Sequence, residues 1–329
     1  MVPLVLIMLL MHLVEQIACQ GSIAFPIDER EGETCELSNG RTGQCRKSTE
    51  CSNIGTGGII PCQVVGRQFV VCCDIMQEAC TAVSENKFGE HIVGNSTKAV
   101  VGEFPFMALV MFNDSNTICG ASIISDRFLL TAAHCFRQGK PIAVRLGTIH
   151  ANDDLADTIL IAKIHRHAQF SYLKRRNDIA LIELQTKMTI NSQVAPICLY
   201  TKEDELPKTQ NLTLIGWGKD DSDVPSLELL KGKINPVIRS ECQARYDAGN
   251  IGLNITDGHM CALGVVNKNG TATDACQGDS GGPLVMKRDD RYYLVGVVST
   301  GSGCGARDLA GLYTWVPKYV KWINEKKGW

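Results

Sequence analysis

Short apolar runs of β-type composition, separated by turns rich in glycine, asparagine and aspartate, dominate the chain from residue 92 to residue 329. The clearest runs are Ala108–Phe112, Phe128–Leu130, Ile142–Leu146, Ile179–Leu184, Leu212–Ile215 and Tyr292–Val298. Many short strands joined by turns of this kind are typical of barrels and sandwiches. The pattern therefore predicts an all-β barrel protein.

The last residues follow a different pattern. Pro317 opens a segment that runs to Lys326, and Val320, Trp322 and Ile323 recur in it at a spacing compatible with a helix. Proline is favoured in the first turn of a helix. We therefore expect a C-terminal helix that packs on the barrel.

The first residues are mostly apolar from Val2 to Val14, and the small residues Ala18 and Gly21 follow. This composition predicts a secretory signal peptide over residues 1–21, although the charged n-region of such a peptide is missing. The alternative is a buried N-terminal helix. Because no later run is apolar over 18 residues, we expect no membrane span.

Length and charge limit the remaining classes. A chain of 329 residues exceeds a usual single domain, which predicts two domains, one of them with a substantial core. The formal net charge of −2 argues against a nucleic-acid partner.

Cysteine usage indicates an oxidising compartment, and loss of Cys19 with the signal peptide would leave 14 of the 15 cysteines. Six of these lie within residues 35–73, a segment rich in small and polar residues. Such a segment cannot bury enough apolar surface to fold alone, so cross-links must hold it. Composition does not choose among the pairings. A zinc knuckle is disfavoured because the segment contains no histidine, and an unrelated disulfide module is the other alternative.

The candidate chemistry centres on Ser280, in the sequence Asp-Ala-Cys-Gln-Gly-Asp-Ser-Gly-Gly-Pro-Leu that ends at Leu284. The glycines allow a sharp turn that exposes the hydroxyl beside amide N–H groups. A serine needs a base to become a nucleophile. His134 follows an apolar run in Thr-Ala-Ala-His-Cys, and Asp178 leads into another in Asn-Asp-Ile-Ala-Leu-Ile. Each motif alone could be a simple turn, a core histidine or a surface aspartate, but together they favour nucleophilic catalysis.

These motifs, in the order His134, Asp178, Ser280, resemble those of the chymotrypsin (S1) family of serine endopeptidases. The resemblance implies two six-stranded antiparallel β-barrels with the three residues in the cleft between them. It makes Ser280 the nucleophile, His134 the general base and acid, and Asp178 the residue that orients the imidazole. Backbone N–H groups of Gly278 and Ser280 would bind the oxyanion, and neither a metal nor a cofactor is required.

The same resemblance implies a substrate pocket. Asp274 would lie at its floor, where a buried carboxylate favours an arginine or lysine side chain of the substrate. Gly301 and Gly311 would form thin walls, with Ser299 beside them. Thr300 stands where the family usually has an aromatic residue, which weakens any expectation about pockets further upstream.

The spacing of the first six cysteines resembles the clip domain that precedes the protease domain in many arthropod S1 proteases. In the clip domain, over residues 35–73, the resemblance implies the pairs Cys35–Cys72, Cys45–Cys62 and Cys51–Cys73. In the protease domain, over residues 92–329, it implies Cys119–Cys135, Cys242–Cys261 and Cys276–Cys304. Cys80 and Cys198 are then left for each other, and their bond would keep the clip domain attached after activation.

Residues 22–34 form a short N-terminal segment, and residues 74–91 are typical of an exposed linker. The linker ends at His91, before Ile92. In the family, cleavage at this point frees an α-amino group that turns inward and pairs with the aspartate before the serine, here Asp279. The chain is therefore expected to be a zymogen. Asn95 replaces the second glycine of the usual Ile-Val-Gly-Gly sequence, a mild departure because asparagine tolerates a left-handed backbone.

Most such zymogens carry arginine or lysine where this chain has His91. A trypsin-like activator should therefore cut it poorly, and we expect an upstream activating protease of non-tryptic specificity. This feature resembles the Persephone-like subgroup of clip proteases, which act early in cascades.

Other features concern the surface. The run Lys174-Arg175-Arg176 before Asp178 is either a solvated loop or an exosite or self-cleavage loop at the rim of the cleft. Asp153, Asp154 and Asp157 could form a calcium-binding loop, but this is disfavoured because their spacing does not match that of an EF-hand. Five asparagines in Asn-X-Ser/Thr sequons are candidate glycosylation sites: Asn95, Asn113, Asn211, Asn254 and Asn269.

The resulting hypothesis is a secreted, extracellular zymogen of a trypsin-like endopeptidase that cleaves proteins after arginine or lysine. The resemblance implies a proteolytic cascade of innate immunity, of the Toll or melanisation type, with a downstream zymogen as substrate and a serpin as inhibitor. The alternatives are a venom protease and a non-catalytic clip-protease homologue that acts as a regulatory cofactor. A digestive trypsin is disfavoured because the six-cysteine module has no obvious purpose there.

Overall fold

The structure is a computed structural model, and it describes residues 33–36, 42–48, 51, 61–65, 68–73, 80, 97–113, 118–137, 139–218, 226–265, 278–288, 291–300 and 309–327. The chain divides into two compact units, Met1–Asp74 and Ile75–Trp329. The predicted signal peptide, the activation bond, Asp274, Gly301 and the sequons at Asn95 and Asn269 lie outside the described residues.

The first unit contains a small antiparallel sheet in the order β1-β2-β4-β3. Its strands are β1 (Thr34–Glu36), β2 (Thr42–Lys47), β3 (Pro61–Val65) and β4 (Gln68–Cys73). Its buried cluster is limited to Cys51, Val71 and Cys73 among the described residues. Disulfides join Cys35 to Cys72, Cys45 to Cys62 and Cys51 to Cys73. Cross-links therefore supply the stability that so small a core cannot.

The second unit begins with a closed barrel in the order β10-β11-β8-β7-β6-β9. Its strands are β6 (Met107–Phe112), β7 (Ile118–Ile123), β8 (Phe128–Thr131), β9 (Pro141–Leu146), β10 (Asp157–Arg166) and β11 (Ala180–Leu184). The apolar runs of β6, β8 and β11 are almost wholly buried. The short apolar runs in this part of the sequence thus form strands of the barrel.

A second ring closes because β17 pairs with both β16 and β18, in the order β17-β16-β13-β14-β15-β18. Its strands are β13 (Leu212–Gly216), β14 (Leu230–Val237), β15 (His259–Gly264), β16 (Pro283–Arg288), β17 (Arg291–Thr300) and β18 (Gly311–Trp315). Two short strands extend this sheet, β5 (Thr97–Lys98) beside β14 and β12 (Cys198–Leu199) beside β17. The prediction of two six-stranded antiparallel barrels is confirmed.

Helical segments are few. The expected C-terminal helix is present as a 3₁₀ turn, Val316–Tyr319, that continues into an α-helix, α2 (Val320–Lys327), with Ile323 in the barrel core. A second α-helix, α1 (Arg239–Ala248), was not predicted, and a 3₁₀ helix spans Ala133–Phe136. Within the part of the chain that the structure describes, neither α-helix has the length and apolar character needed to cross a bilayer.

Candidate active site

His134 is positioned by the end of the first barrel. Strand β8 is buried and leads directly into the 3₁₀ helix that carries the histidine. A disulfide between Cys135 and Cys119 ties this helix to β7. The imidazole is 16% exposed, so it reaches the protein surface while its backbone is fixed on both sides.

Asp178 lies just before β11 and is 2% exposed. Its Oδ2 accepts a hydrogen bond from Nδ1 of His134 at 2.7 Å, and its Oδ1 accepts one from the His134 backbone N–H at 2.8 Å. Because a carboxylate can only accept, Nδ1 carries the proton and Nε2 is left to act as a base.

Two residues of the second barrel complete the surroundings of Asp178. Ser299 on β17 donates its hydroxyl to Oδ2 at 2.6 Å, and Thr314 on β18 donates its hydroxyl to the Asp178 carbonyl at 2.7 Å. Burial by itself would raise the pKa of Asp178, but the hydrogen bonds from His134 and Ser299 outweigh it, and the pKa lies below its usual value. The buried carboxylate is therefore ionised at neutral pH.

The loop before Asp178 is held in an uncommon backbone conformation. Arg175 and Asn177 have left-handed φ angles of 49° and 52°. The Tyr319 hydroxyl donates to Oδ1 of Asn177 at 3.0 Å, and Nε2 of His259 donates to the Arg175 carbonyl at 2.7 Å. Burial raises the pKa of Tyr319 to about 12, which keeps its hydroxyl a donor. These contacts fix the approach of the chain to Asp178.

Ser280 lies on a turn packed against the first barrel. Its carbonyl accepts from Gly120 N–H at 2.8 Å, and Gly281 N–H donates to the Val298 carbonyl at 2.9 Å. Gly281 has φ 76°, and a Cβ there would lie 2.7 Å from the Gly120 carbonyl oxygen and 3.1 Å from Sγ of Cys135, next to His134. Only glycine fits so close an approach. The turn thus brings the partly exposed Ser280 to the histidine segment.

The backbone just before Ser280 is equally constrained. Gly278 has φ 103°, and a Cβ at this position would lie 2.9 Å from the Cα of Gly218 and 3.0 Å from the Trp217 carbonyl oxygen. Asp279 is buried, and its Oδ1 accepts from Gly218 N–H at 2.8 Å. Packing and a buried carboxylate therefore hold the backbone of Gly278 and Ser280 in place. Hydrogen-bond donors that stabilise a developing negative charge need fixed positions of this kind.

The remaining pocket residues are only partly described. Gly311 begins β18 and is buried, opposite Ala262 of β15. Ser299, expected beside the pocket walls, is 3% exposed and its hydroxyl contacts Asp178. The sequence alone does not predict this contact or those of Thr314, Gly218, Tyr319 and His259. Each lies far along the chain from the group it touches, and no local motif marks it.

Disulfides of the second unit join Cys80 to Cys198, Cys119 to Cys135 and Cys242 to Cys261. Cys276 and Cys304 lie outside the described residues. The bond of Cys198 reaches a residue far earlier in the chain, 118 positions away. It therefore links the start of this unit covalently to the edge of its second barrel.

Two of the three aspartates near residue 153, Asp153 and Asp154, have protein partners. Asp153 accepts from the Thr148 hydroxyl at 2.8 Å and from Leu155 N–H at 3.1 Å. Nη2 of Arg145 lies 3.3 Å from Oδ1 of Asp154. The guanidinium of Arg145 therefore brings a positive charge from β9 to this loop.

The fold and the site together are typical of trypsin-like serine proteases. Two antiparallel barrels hold a buried aspartate that is hydrogen-bonded to a histidine, and a glycine-rich turn carries the serine. A family model described as Trypsin matches residues 92–323. The chain belongs to this family and, over nearly its whole length, to the CLIP-domain serine proteases within it.

Three relatives illustrate this relationship. CLIP domain-containing serine protease C9 of Anopheles gambiae is 33% identical over 343 residues, which cover 97% of this chain and 92% of that protein. CLIP domain-containing serine protease B4 of the same species is 32% identical over 80% of this chain and 79% of its own length. Coagulation factor XI of Bos taurus is 33% identical over 88% of this chain but 46% of its own length.

Proposed function

We propose that this chain is the zymogen of a secreted serine endopeptidase that cleaves protein substrates after arginine or lysine in an extracellular cascade. The observation that carries the proposal is the pair formed by His134 and the buried Asp178, with Nδ1 and Oδ2 2.7 Å apart. In the proposed reaction, Ser280 Oγ attacks the peptide carbonyl while Nε2 of His134 takes its proton and later gives it to the leaving amine.

Asp178 has an electrostatic role in this scheme. Its pKa lies below the usual value, so its negative charge is present when His134 becomes an imidazolium. In a water-excluded site that charge stabilises the cation and holds the productive tautomer. The N–H groups of Gly278 and Ser280 would meanwhile bind the oxyanion. This role is favoured because close packing around Gly278 and the hydrogen bond of the buried Asp279 fix the backbone that carries these N–H groups.

Specificity for arginine and lysine is assigned to Asp274. The support is its position six residues before the proposed nucleophile and the glycine at the start of β18, Gly311. A cationic side chain of the substrate stabilises a buried carboxylate, whereas an uncharged side chain leaves its charge without a partner. Asp274→Ser should abolish cleavage after arginine while some cleavage elsewhere persists. Retained arginine cleavage would contradict the assignment.

Activation is assigned to cleavage between His91 and Ile92 by a protease of non-tryptic specificity. The division of the chain after Asp74 and the family match from residue 92 support a clip domain over residues 35–73, a linker over 74–91 and a protease domain from 92. The bond between Cys80 and Cys198 would keep the two products together. On a non-reducing gel, the cleaved protein should therefore run as one species.

A matched pair of zymogens tests the activation site. Immobilised trypsin should leave the parent bond intact and should release an N-terminus at Ile92 from a His91→Arg variant. Efficient release of Ile92 from the parent would contradict a non-tryptic activator.

A fluorophosphonate, which labels only an activated serine, tests the enzyme itself. The cleaved His91→Arg protein should be labelled, and the same protein with Ser280→Ala should not. Failure of the cleaved protein to label would favour a non-catalytic regulator.

The disulfides and the clip-domain relatives support an extracellular setting for the proposed cascade. A downstream zymogen is the proposed substrate and a serpin the proposed inhibitor. Innate immunity of the Toll or melanisation type is the proposed setting. Asn113, Asn211 and Asn254 are exposed, which supports them as glycan sites. Loss of apparent mass on treatment with an N-glycosidase checks the modification.

A further inference from the structure

The residues before Asp178 form a short hairpin, which we name the basic hairpin (residues 171–176). The backbones of Ser171 and Arg176 exchange two hydrogen bonds of 3.0 Å, and Arg175 N–H donates to the Tyr172 carbonyl at 3.2 Å. The bond from His259 to the Arg175 carbonyl anchors the base. The tip is therefore a fixed projection at the edge of the candidate active site.

The hairpin contacts the segment that carries the histidine. Arg137, three residues after His134, places its guanidinium 3.4 Å from the ring centroid of Tyr172. A cation over an aromatic face at this distance is attractive and holds both groups in place. Arg137 thereby joins the basic residues of the hairpin on one surface beside the site.

Four positive charges gather there without acidic partners. Among the described residues, none lies within ion-pair distance of the side chains of Arg137, Lys174, Arg175 and Arg176. Two nitrogens, Nη1 of Arg175 and Nε of Arg176, are buried and have no hydrogen-bond partner within the described ranges. Yet the chain as a whole has a net charge of −2. A local excess of positive charge in an acidic chain is complementary to an anionic partner.

Apolar surface accompanies this charge. Leu173 is 92% exposed and Tyr172 is 48% exposed, both at the tip of the hairpin. An acidic peptide that carries an apolar side chain can satisfy both features. A sulfated polysaccharide would leave Leu173 without a contact, and the tight, anchored turn is a poor substrate for self-cleavage because proteases bind extended chains.

We propose that the basic hairpin and Arg137 form an exosite for an acidic peptide segment, with an apolar residue, of the macromolecular substrate. This proposal rests on the proposed protease function. The exosite adds contacts to a substrate that the catalytic residues and the primary pocket do not supply. It therefore lowers KM for substrates that carry such a segment and leaves small substrates unaffected.

The test compares five substrates of the activated protein. One is a small arginyl ester. The other four are peptides with the same arginine bond, which carry either an Asp/Glu-rich, leucine-containing extension or its Asn/Gln counterpart, placed before the bond in one pair and after it in the other. The parent should cleave one acidic peptide with a KM about five- to tenfold lower than its neutral counterpart, and added salt should reduce the difference.

The variant Arg137→Gln/Lys174→Gln/Arg176→Gln should remove this preference without changing turnover of the ester. The control Lys163→Gln/Lys202→Gln/Lys321→Gln removes the same charge from exposed positions elsewhere and should keep it. Leu173→Ser should raise the KM of the leucine-containing acidic peptide by a factor of about two to three. The proposal is overturned if the parent shows no preference, if the charge variant retains it, or if the control loses it equally.

Binding separates the exosite from catalysis. In the Ser280→Ala protein, the acidic peptide should bind with a measurable change in fluorescence anisotropy, and the charge variant should reduce that binding about five- to tenfold. If no form of the protein turned over the ester but the acidic peptide still bound, the result would reject the protease function and leave the exosite standing. Binding of a sulfated polysaccharide without binding of the acidic peptide would reject the exosite as proposed.

Discussion

The backbone N–H of Gly218 donates a 2.8 Å hydrogen bond to Oδ1 of the buried Asp279. Gly218 can approach so closely because it has no side chain: a Cβ there would lie 2.5 Å from Cγ of the carboxyl group. The carboxylate would have to move, and we expect the adjacent backbone of Gly278 and Ser280 to shift with it. The proposed oxyanion donors thus depend on an absent side chain far along the chain.

Gly218→Ala should therefore lower kcat on an arginyl ester by about a hundredfold, the effect of losing an oxyanion donor, without unfolding the protein. Gly252→Ala is the matched control, because a Cβ at Gly252 would meet no atom within 4 Å. Steady-state kinetics and thermal unfolding of both activated variants provide the check. Equal activity of the two variants would show that Asp279 does not position these donors.

Ser299→Ala should reduce kcat about ten- to a hundredfold with little change in KM, since a hydrogen bond to the charged Asp178 would be lost. If Ser299 instead acted on the bound substrate, KM would rise. Ser125→Ala is the control, because it removes another buried hydroxyl, one that accepts from Phe128 N–H in the first barrel. That variant should keep its activity.

The runs named in the sequence match six of the twelve barrel strands, because each of these six combines apolar composition with flanking turn residues. The run Phe128–Leu130, for instance, is strand Phe128–Thr131 in the structure. Helix Arg239–Ala248 gave no such signal: it buries Cys242 and Tyr246 alone, so it has no apolar stripe. Tertiary contacts, including the Cys242–Cys261 disulfide, stabilise this helix, and its local sequence does not predict it.

The site shows the same division. His134, Asp178 and Ser280 stand in local motifs, whereas Ser299 reaches Asp178 across 121 residues of sequence. Such a contact depends on the closure of both barrels, and no local pattern records it. Contacts between residues so far apart in the sequence can therefore be identified only from the three-dimensional structure.

The buried ion pair of Lys231 and Glu103 gives a prediction about stability. Their side chains are 6% and 4% exposed, and Glu103 also accepts from Val100 N–H at 3.1 Å. Glu103→Gln should lower the free energy of unfolding by about 3–5 kcal/mol, because an uncompensated charge on Lys231 would remain buried. Lys187→Gln, at the more exposed pair with Asp126, should cost less than about 1 kcal/mol.

Urea unfolding of these variants in an inactive Ser280→Ala background supplies the numbers. The double variant Glu103→Leu/Lys231→Met should regain most of the loss, since apolar residues can replace a buried pair. If Glu103→Gln cost no more than the surface variant, the pair would not be desolvated in solution.

His259 predicts how stability depends on pH. Burial lowers its pKa, and the neighbouring Arg176 and Arg239 act in the same direction, while the bond to the Arg175 carbonyl and Asp257 oppose them. Protonation would also place a hydrogen on Nδ1, which accepts from Thr256 N–H at 2.9 Å. The folded state therefore resists the charged form.

Because the folded pKa is below the unfolded value of about 6.5, the unfolded chain binds more protons as the pH falls. The contribution of His259 is fully present above about pH 6.5 and decreases from there toward the folded pKa, by at most about 1.4 kcal/mol per pH unit. His259→Gln keeps hydrogen-bonding groups but does not titrate. Urea unfolding at pH 7.5 and 5.5, in the Ser280→Ala background, should show a smaller acid-induced loss in this variant than in the parent. Some loss should remain, because burial also lowers the pKa of His167. Equal losses in the two proteins would show that His259 is not held neutral by the fold.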